Sequence, residues 1–186
     1  MFPTTRRRLA AVGIVAALAA PVALSLAPSA GASAARTAAA PYCGITWGSL
    51  PKATNPALLW TGTVTGARSG QHACYDRVVF DVARGSGRLG YSVRYVDQVT
   101  GPGSGLPVPV AGGARIQVTI GAPSRLAPST TNYPGWRTFR QLKFVASFEG
   151  YTDYGLGVRA RLPMRAFVLA DADGGRRLVV DVAHRW

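Results

Sequence analysis

The chain holds one glutamate, Glu149, and only two histidines, two lysines and two cysteines among 186 residues. Each scarcity removes a class of chemistry. A zinc centre would need His72, His184, Cys43 and Cys74 together as convergent ligands, and it would need both cysteines as thiolates. Glu149 and the seven aspartates carry no local signature of a glycosidase carboxylate pair. There is no G-x-S-x-G elbow, since GPGSG at 101–105 misplaces the serine by one. After the first forty residues no stretch repeats apolar side chains at helical spacing over several turns, so a helical bundle is excluded. GSGRLG at 85–90 matches the glycine spacing of a dinucleotide-binding turn, but that turn must open a helix. Here YSVRYV follows, which reads as strand, and the glycines read as a hairpin turn. One catalytic option survives on paper, because triads assemble in space: His184 with Asp181 or Asp153 and a serine. A histidine at a strand end beside Arg185 reads more simply as a surface residue.

The N-terminus supplies a compartment. Arg6, Arg7 and Arg8 precede an apolar run from Leu9 to Ala27, broken by Pro21, and Ala30-Gly31-Ala32 offers small residues at an exit. This is the pattern of a secretory signal peptide over residues 1–32, cleaved after Ala32 or Ala34. Tyr42 stands before Cys43 where a lipid-anchor motif needs a small residue. The expected layout is therefore signal peptide, a Ser/Ala/Thr/Pro linker over 33–41, and one domain over 42–186 with no membrane span after processing. An even cysteine count in an exported chain predicts a disulfide between Cys43 and Cys74. Setting aside the three signal arginines leaves 18 basic against 8 acidic residues, a net charge of +10. An exported basic domain is drawn to anionic envelope polymers or lipid surfaces, whereas nucleic acid is a poor expectation there. No cofactor and no metal is expected.

Eight β-rich runs lie between Gly, Pro, Asn and Asp signals: LLWTGTV (58–64), RVVFDVA (77–83), YSVRYVDQV (91–99), RIQVTI (115–120), FRQLKFVASF (139–148), YGLGVRARL (154–162), MRAFVLA (164–170) and RLVVDVA (177–183). This spacing predicts an all-β, antiparallel sandwich of about eight strands. Ile116, Val118 and Ile120 alternate with Arg115, Gln117 and Thr119. Leu142, Phe144, Ala146 and Phe148 alternate with Gln141, Lys143 and Ser147, and Leu156, Val158, Ala160 and Leu162 oppose Arg159 and Arg161. One buried and one wet face is how antiparallel sheets read.

RVVFDVA and RLVVDVA are near-copies offset by one hundred residues. In both, one face is wholly apolar (Val78, Phe80, Val82; Leu178, Val180, Val182), and the other carries Arg, Val and Asp. Antiparallel pairing with Val79 opposite Val179 sets Arg77 against Asp181 and Asp81 against Arg177. Two cross-strand ion pairs that fix register are expected.

APSRLAPSTTNYPGWRTFR at 122–140 is long, proline-rich and polar, and holds Tyr133, Trp136, Arg137 and Arg140. Loops carry binding function more often than core strands do. Aromatic faces beside arginine suit a sugar bearing carboxylate or phosphate. With Lys143, Arg159 and Arg161, and with Arg115 beside them, these residues form the expected glycan-binding surface. The competing reading is that Trp136 and Phe139 plug one end of the sandwich.

The stretches CGITWGSLPK (43–52), SGQHACYDRVVFDV (69–82), GYSVRYVDQV (90–99), GSGLPVPVAGGA (103–114), YPGWRTFRQLKFVASFEG (133–150), GLGVRARLPMRAFVL (155–169) and RLVVDVAHRW (177–186) resemble the secreted AMIN-like domain proteins of actinobacteria. AMIN domains are β-sandwich modules, appended to cell-wall amidases and secretin-type pores, that target partners to the envelope and bind peptidoglycan. The resemblance implies a non-catalytic, secreted or envelope-held binding module without a catalytic amidase domain after its last strand. It transfers no binding residue. A module that recruits or regulates an envelope enzyme is the alternative, and a secreted hydrolase the second.

Overall fold

A computed structural model describes residues 42–186, and the signal-peptide and linker expectations lie outside the described residues. In chain order the strands are β1 (Lys52–Ala53), β2 (Val64–Gln71), β3 (Tyr75–Val82), β4 (Tyr91–Val96), β5 (Val99–Thr100), β6 (Pro107–Val108), β7 (Ala114–Ile120), β8 (Thr130–Asn132), β9 (Phe139–Phe148), β10 (Tyr151–Val158), β11 (Met164–Ala170) and β12 (Arg176–Ala183). There is no helix among the described residues. A six-stranded sheet runs β1-β4-β7-β10-β9-β8, a four-stranded sheet β11-β12-β3-β2, and β5 and β6 form a separate hairpin. All strand pairings are antiparallel.

The two larger sheets stack as a sandwich because each offers one apolar face. Val78, Phe80 and Val82 of β3 and Leu178, Val180 and Val182 of β12 form one wall. Val93, Ile116, Val118, Ile120, Leu142, Phe144, Tyr154, Leu156 and Val158 form the other, and all belong to one buried cluster. The Phe80 and Tyr154 rings meet across the interface with centroids 4.7 Å apart. Each such side chain stabilises the fold by about 1.5–3 kcal/mol.

Two expectations fail locally. LLWTGTV is not a strand: Trp60 is buried, its Nε1 donates to the Ala83 carbonyl at 2.9 Å, and the strand begins only at Val64. The indole plugs the sandwich end, with Gly62 and Gly85 leaving room for it. In β9, Val145 and Arg140 have no partner in the register with β10, so two bulges interrupt the alternation. The bulge at Arg140 lets Phe139 and Leu142, three apart, both face the core. The bulge at Val145 sends Phe148 to the outside, where it is 46% exposed.

The outer face of the six-stranded sheet is polar in sequence yet is only partly open to water. Residues 97–113, carrying β5 and β6, fold back over it. Gln117 accepts from Thr100 N (3.3 Å) and donates to Thr100 O (3.2 Å); Gln141 accepts from Ala111 N (3.0 Å). Arg115 Nε donates to Val110 O at 3.1 Å and Lys143 Nζ to Pro109 O at 3.2 Å. These side chains satisfy backbone groups of the covering flap. Gly155 and Gly157 on β10 make its close approach possible: a methyl group on Gly157 would overlap the Ala111 carbonyl, and one on Gly155 would strike Val110.

In the four-stranded sheet Val79 lies opposite Val179 and Arg77 opposite Asp181. Arg77 binds Asp181 through both Nε (2.6 Å) and Nη2 (2.9 Å), and Arg165 of β11 adds Nε at 2.7 Å. Arg177 and Asp81 face each other in the register but do not pair, which corrects the second expected ion pair. Arg68 of the neighbouring β2 takes Asp81 with two 3.0 Å bonds, and Arg177 turns to Asp171 at 2.6 Å. Asp81 has a competing arginine on its other side, and that cation reaches both oxygens. A disulfide joins Cys43 to Cys74, with Cα atoms 6.4 Å apart. Closing that loop stabilises the fold by about 3–4 kcal/mol on a chain-entropy account.

Three outcomes are expected. Asp181 is fully buried between two arginines, so Asp181→Ala should cost about 3–5 kcal/mol in equilibrium denaturation. Asp81 pairs at the surface, and Asp81→Ala should cost no more than about 1 kcal/mol. Gly157→Ala should displace the flap while sparing the sandwich, read as hydrogen exchange that accelerates at the Ala111 and Thr100 amides but not at Val180.

Candidate functional site

Antiparallel register places Arg94 of β4 opposite Gln117 of β7, and Val96 opposite Arg115. On the β4 side, between the flap and the sheet, a cleft of about 730 Å³ opens, lined by Arg94, Tyr95, Asp97, Arg115, Gln117 and Arg161 among others. Tyr95 is held by two hydrogen bonds at its hydroxyl, which donates to Leu162 O at 2.7 Å and accepts from Leu162 N at 2.9 Å. Burial pushes this phenol's pKa up, against the Leu162 hydrogen bond and the Arg161 charge. The Arg161 guanidinium sits 4.7 Å from the Tyr95 ring centre and donates to Ser49 O at 3.2 Å. The Trp186 indole donates to Arg161 O at 3.3 Å and is 69% exposed.

A second cleft, about 690 Å³, adjoins the flap on its β9 side and shares Asp97, Gln98 and Arg115 with the first. Gln141 and Lys143 line it. Among the described residues none of Arg94, Arg115, Arg161 and Lys143 forms a salt bridge. Asp97 is the one acidic residue lining either cleft. Guanidinium groups in such a setting grip carboxylate or phosphate through paired N–H donors, and the Tyr95 ring in the first cleft offers an apolar face.

The seven residues expected to bind glycan do not form one surface. Lys143 and Arg161 reach the clefts. Tyr133 does not face solvent: it is 5% exposed, its hydroxyl lies 2.6 Å from Ser69 Oγ, and its ring packs on Trp136 and Phe139. Trp136 stacks on Phe139 at 6.1 Å, half-buried. Arg140 Nη1 donates to the Trp136 and Phe139 carbonyls at 2.7 and 2.8 Å, so its charge closes the loop's own backbone. The 133–140 segment packs at the sandwich end, in line with the competing reading of that loop as a plug, while Arg137 stays exposed. Arg159 lies past the end of β10 and donates to Arg137 O and His184 O, while exposed Arg137 reaches Ala73 O at 3.5 Å. Arg94, Tyr95 and Gln117 are the site residues that sequence reasoning missed. The alternation of YSVRYV puts Arg94 on a polar face, but only the β4–β7 pairing brings it beside Arg115.

His184 is not the surface residue that its strand-end position suggested: it is buried. Its Nε2 lies 3.0 Å from Asp76 Oδ1 and bonds neither Asp181 nor Asp153, and both partners of the Asp76 contact are buried. Asp76 Oδ2 accepts from Thr138 N and Phe139 N at 2.8 Å each, tying β3 to the plug. Among the described residues no serine bonds the His184 ring, and no group of three His, Cys, Asp or Glu side chains is placed to hold a metal ion. No helix among them is long and apolar enough to cross a membrane.

Behind the cleft, Asp153 accepts from Thr119 Oγ1 at 2.5 Å and from Gln117 Nε2 at 3.3 Å. Burial pushes its carboxyl above the ordinary value, opposed by those two hydrogen bonds and by the Arg94 charge. A raised folded-state pKa means that the carboxyl's contribution is present at low pH and lost as pH rises through that value. Asp153→Asn keeps the acceptor without the charge. Its stability advantage over the native protein should therefore be largest near neutrality and shrink as pH falls toward the ordinary aspartate value, measured by denaturation across that window.

A family model for the AMIN-like domain matches residues 62–184, from just before β2 to just past β12. No curated protein and no solved structure matches the chain. The match takes in nearly every strand of both sheets, together with the flap and the clefts beside it, and the chain belongs to the AMIN-like domain family.

Proposed function

We propose that this protein is an exported, non-catalytic module of the cell envelope that holds an anionic wall glycan, with peptidoglycan the leading candidate, in the arginine cleft. The observation that carries this reading is the convergence of Arg94, Arg115 and Arg161, none in a salt bridge among the described residues, on a cleft with a single carboxylate, Asp97. A glycan strand presents acidic groups at intervals along stiff, partly apolar rings. Guanidinium forks take the first, and the Tyr95 ring takes the second. Lys143 in the adjoining cleft extends the positive track along the flap. The signal-like N-terminus and the Cys43–Cys74 disulfide fit an oxidising, extracytoplasmic setting. The AMIN-like family match supports the envelope context.

The test is co-sedimentation with purified sacculi. Native protein should be retained at low salt and less so at moderate salt, because exposed charges are screened. The Arg94→Ala, Arg161→Ala double variant should lose about 10-fold or more in apparent affinity, since hydrogen bonds to charged groups contribute about 1.5–3 kcal/mol each. Absence of retention at either salt defeats the glycan reading. A stoichiometric protein partner captured by crosslinking in cells, with no wall retention, would transfer the role to recruitment of an envelope enzyme.

A further inference from the structure

The opposite face of the sandwich carries a second concentration of arginine and aromatic side chains. It lies on the outside of the four-stranded sheet, where the register aligns Arg77 of β3, Asp181 of β12 and Arg165 of β11 in one row. Asp181 is fully buried, and both arginines lean over it. Arg77 uses Nε and Nη2 on its two oxygens, and Arg165 uses Nε on Oδ2. Arg77 Nη2 also donates to Tyr75 Oη at 3.3 Å. Arg77 Nη1 and both terminal nitrogens of Arg165 have no hydrogen-bond partner among the described residues. The two arginine side chains are 25% and 30% exposed.

One carboxylate neutralises one guanidinium. The row therefore carries a surplus positive charge whose unused donors are held in place by the buried anion beneath them. The surroundings are aromatic. The Arg165 guanidinium lies 5.4 Å from Trp47, 5.4 Å from Tyr75 and 5.2 Å from Phe167, while Arg77 lies 5.2 Å from Tyr75. His72 stacks on Tyr75 at 4.6 Å and extends the ring surface. Val79 and Val179 of the neighbouring row lie buried beneath the side chains of this face.

We infer that this platform is a second binding site, which takes the carboxylate of an acidic saccharide on the outward nitrogens of Arg77 and Arg165 and the sugar ring against Trp47 and Tyr75. The carboxylate completes the charge balance that Asp181 leaves half met. Planar guanidinium groups match a planar carboxylate, and aromatic faces accept the C–H face of a pyranose. The site shares no residue with the arginine cleft, so either can fail without the other. If both hold, the module has binding faces on opposite sides and can bridge two acidic polymer strands.

Glucuronate and glucose share the pyranose ring and separate the carboxylate from it. Titrations of the full chain, followed by the indole N–H resonance of Trp47 (assigned with Trp47→Phe), should show a saturable shift with glucuronate and none with glucose. Arg165→Ala leaves the Arg77–Asp181 pair in place and should weaken glucuronate binding about 10-fold, the loss of one charge-assisted contact. Arg165→Lys keeps the charge without the fork and should fall between. Arg94→Ala, in the cleft, should leave the Trp47 shift unchanged. Equal shifts with glucose and glucuronate, no saturable shift with either, or an undiminished shift in Arg165→Ala with its other indole resonances unmoved would each overturn the site.

Discussion

The pairing of β3 with β12 is the constraint on which the molecule depends. It joins a strand near the start of the described chain to the last one, and a slip of one residue would turn Val78, Phe80 and Val82 out to water. Burial alone penalises such a slip. The Arg77–Asp181 contact adds a polar penalty, because a buried carboxylate stripped of its arginine is costly. Arg165 repeats the constraint from β11, so one carboxylate registers three strands. The outer face of that sheet consequently holds two ordered guanidinium groups among aromatic rings.

The six-stranded sheet solves a different problem. Its outer face is covered by a segment with almost no regular structure, whose backbone groups need partners. Gln117, Gln141, Arg115 and Lys143 supply them, and Gly155 and Gly157 remove the side chains that would keep the flap at a distance. The clefts exist because the flap is narrower than the sheet beneath it. Arg115 and Lys143 dock the flap through Val110 O and Pro109 O and also line the openings, which couples the stability of the cover to the charge of the site.

The strand content was legible because alternation with period two is a direct consequence of one face being buried. RIQVTI, FRQLKFVASF, MRAFVLA and RLVVDVA all lie within strands. β2 was not legible: VTGARSGQ is a sheet-edge strand, with little apolar alternation to reveal it. The bulges in β9 were equally hidden, since an extra residue is visible only against the partner strand. Of the site, Arg115, Lys143 and Arg161 could be named from the sequence as basic residues on or near polar faces. Their meeting with Arg94 and Tyr95 could not, because it depends on the order of strands in the sheet.

By itself, the amino-acid sequence determined the antiparallel β character, the inward side chains of the repeated strands, the alignment of Arg77 with Asp181 and the pairing of the only two cysteines. These are local or pairwise matters, set by side-chain period and by the match of like patterns. The tertiary structure decided which polar side chains meet water. Gln117 and Lys143 look alike as exposed residues in a strand pattern, and both border clefts, yet Gln117 is buried under the flap while Lys143 stays partly exposed. It also decided that Tyr133 and Arg140 close the end of the sandwich rather than open it. The physical reason is that exposure belongs to the layer packed on a face, and that layer comes from elsewhere in the chain.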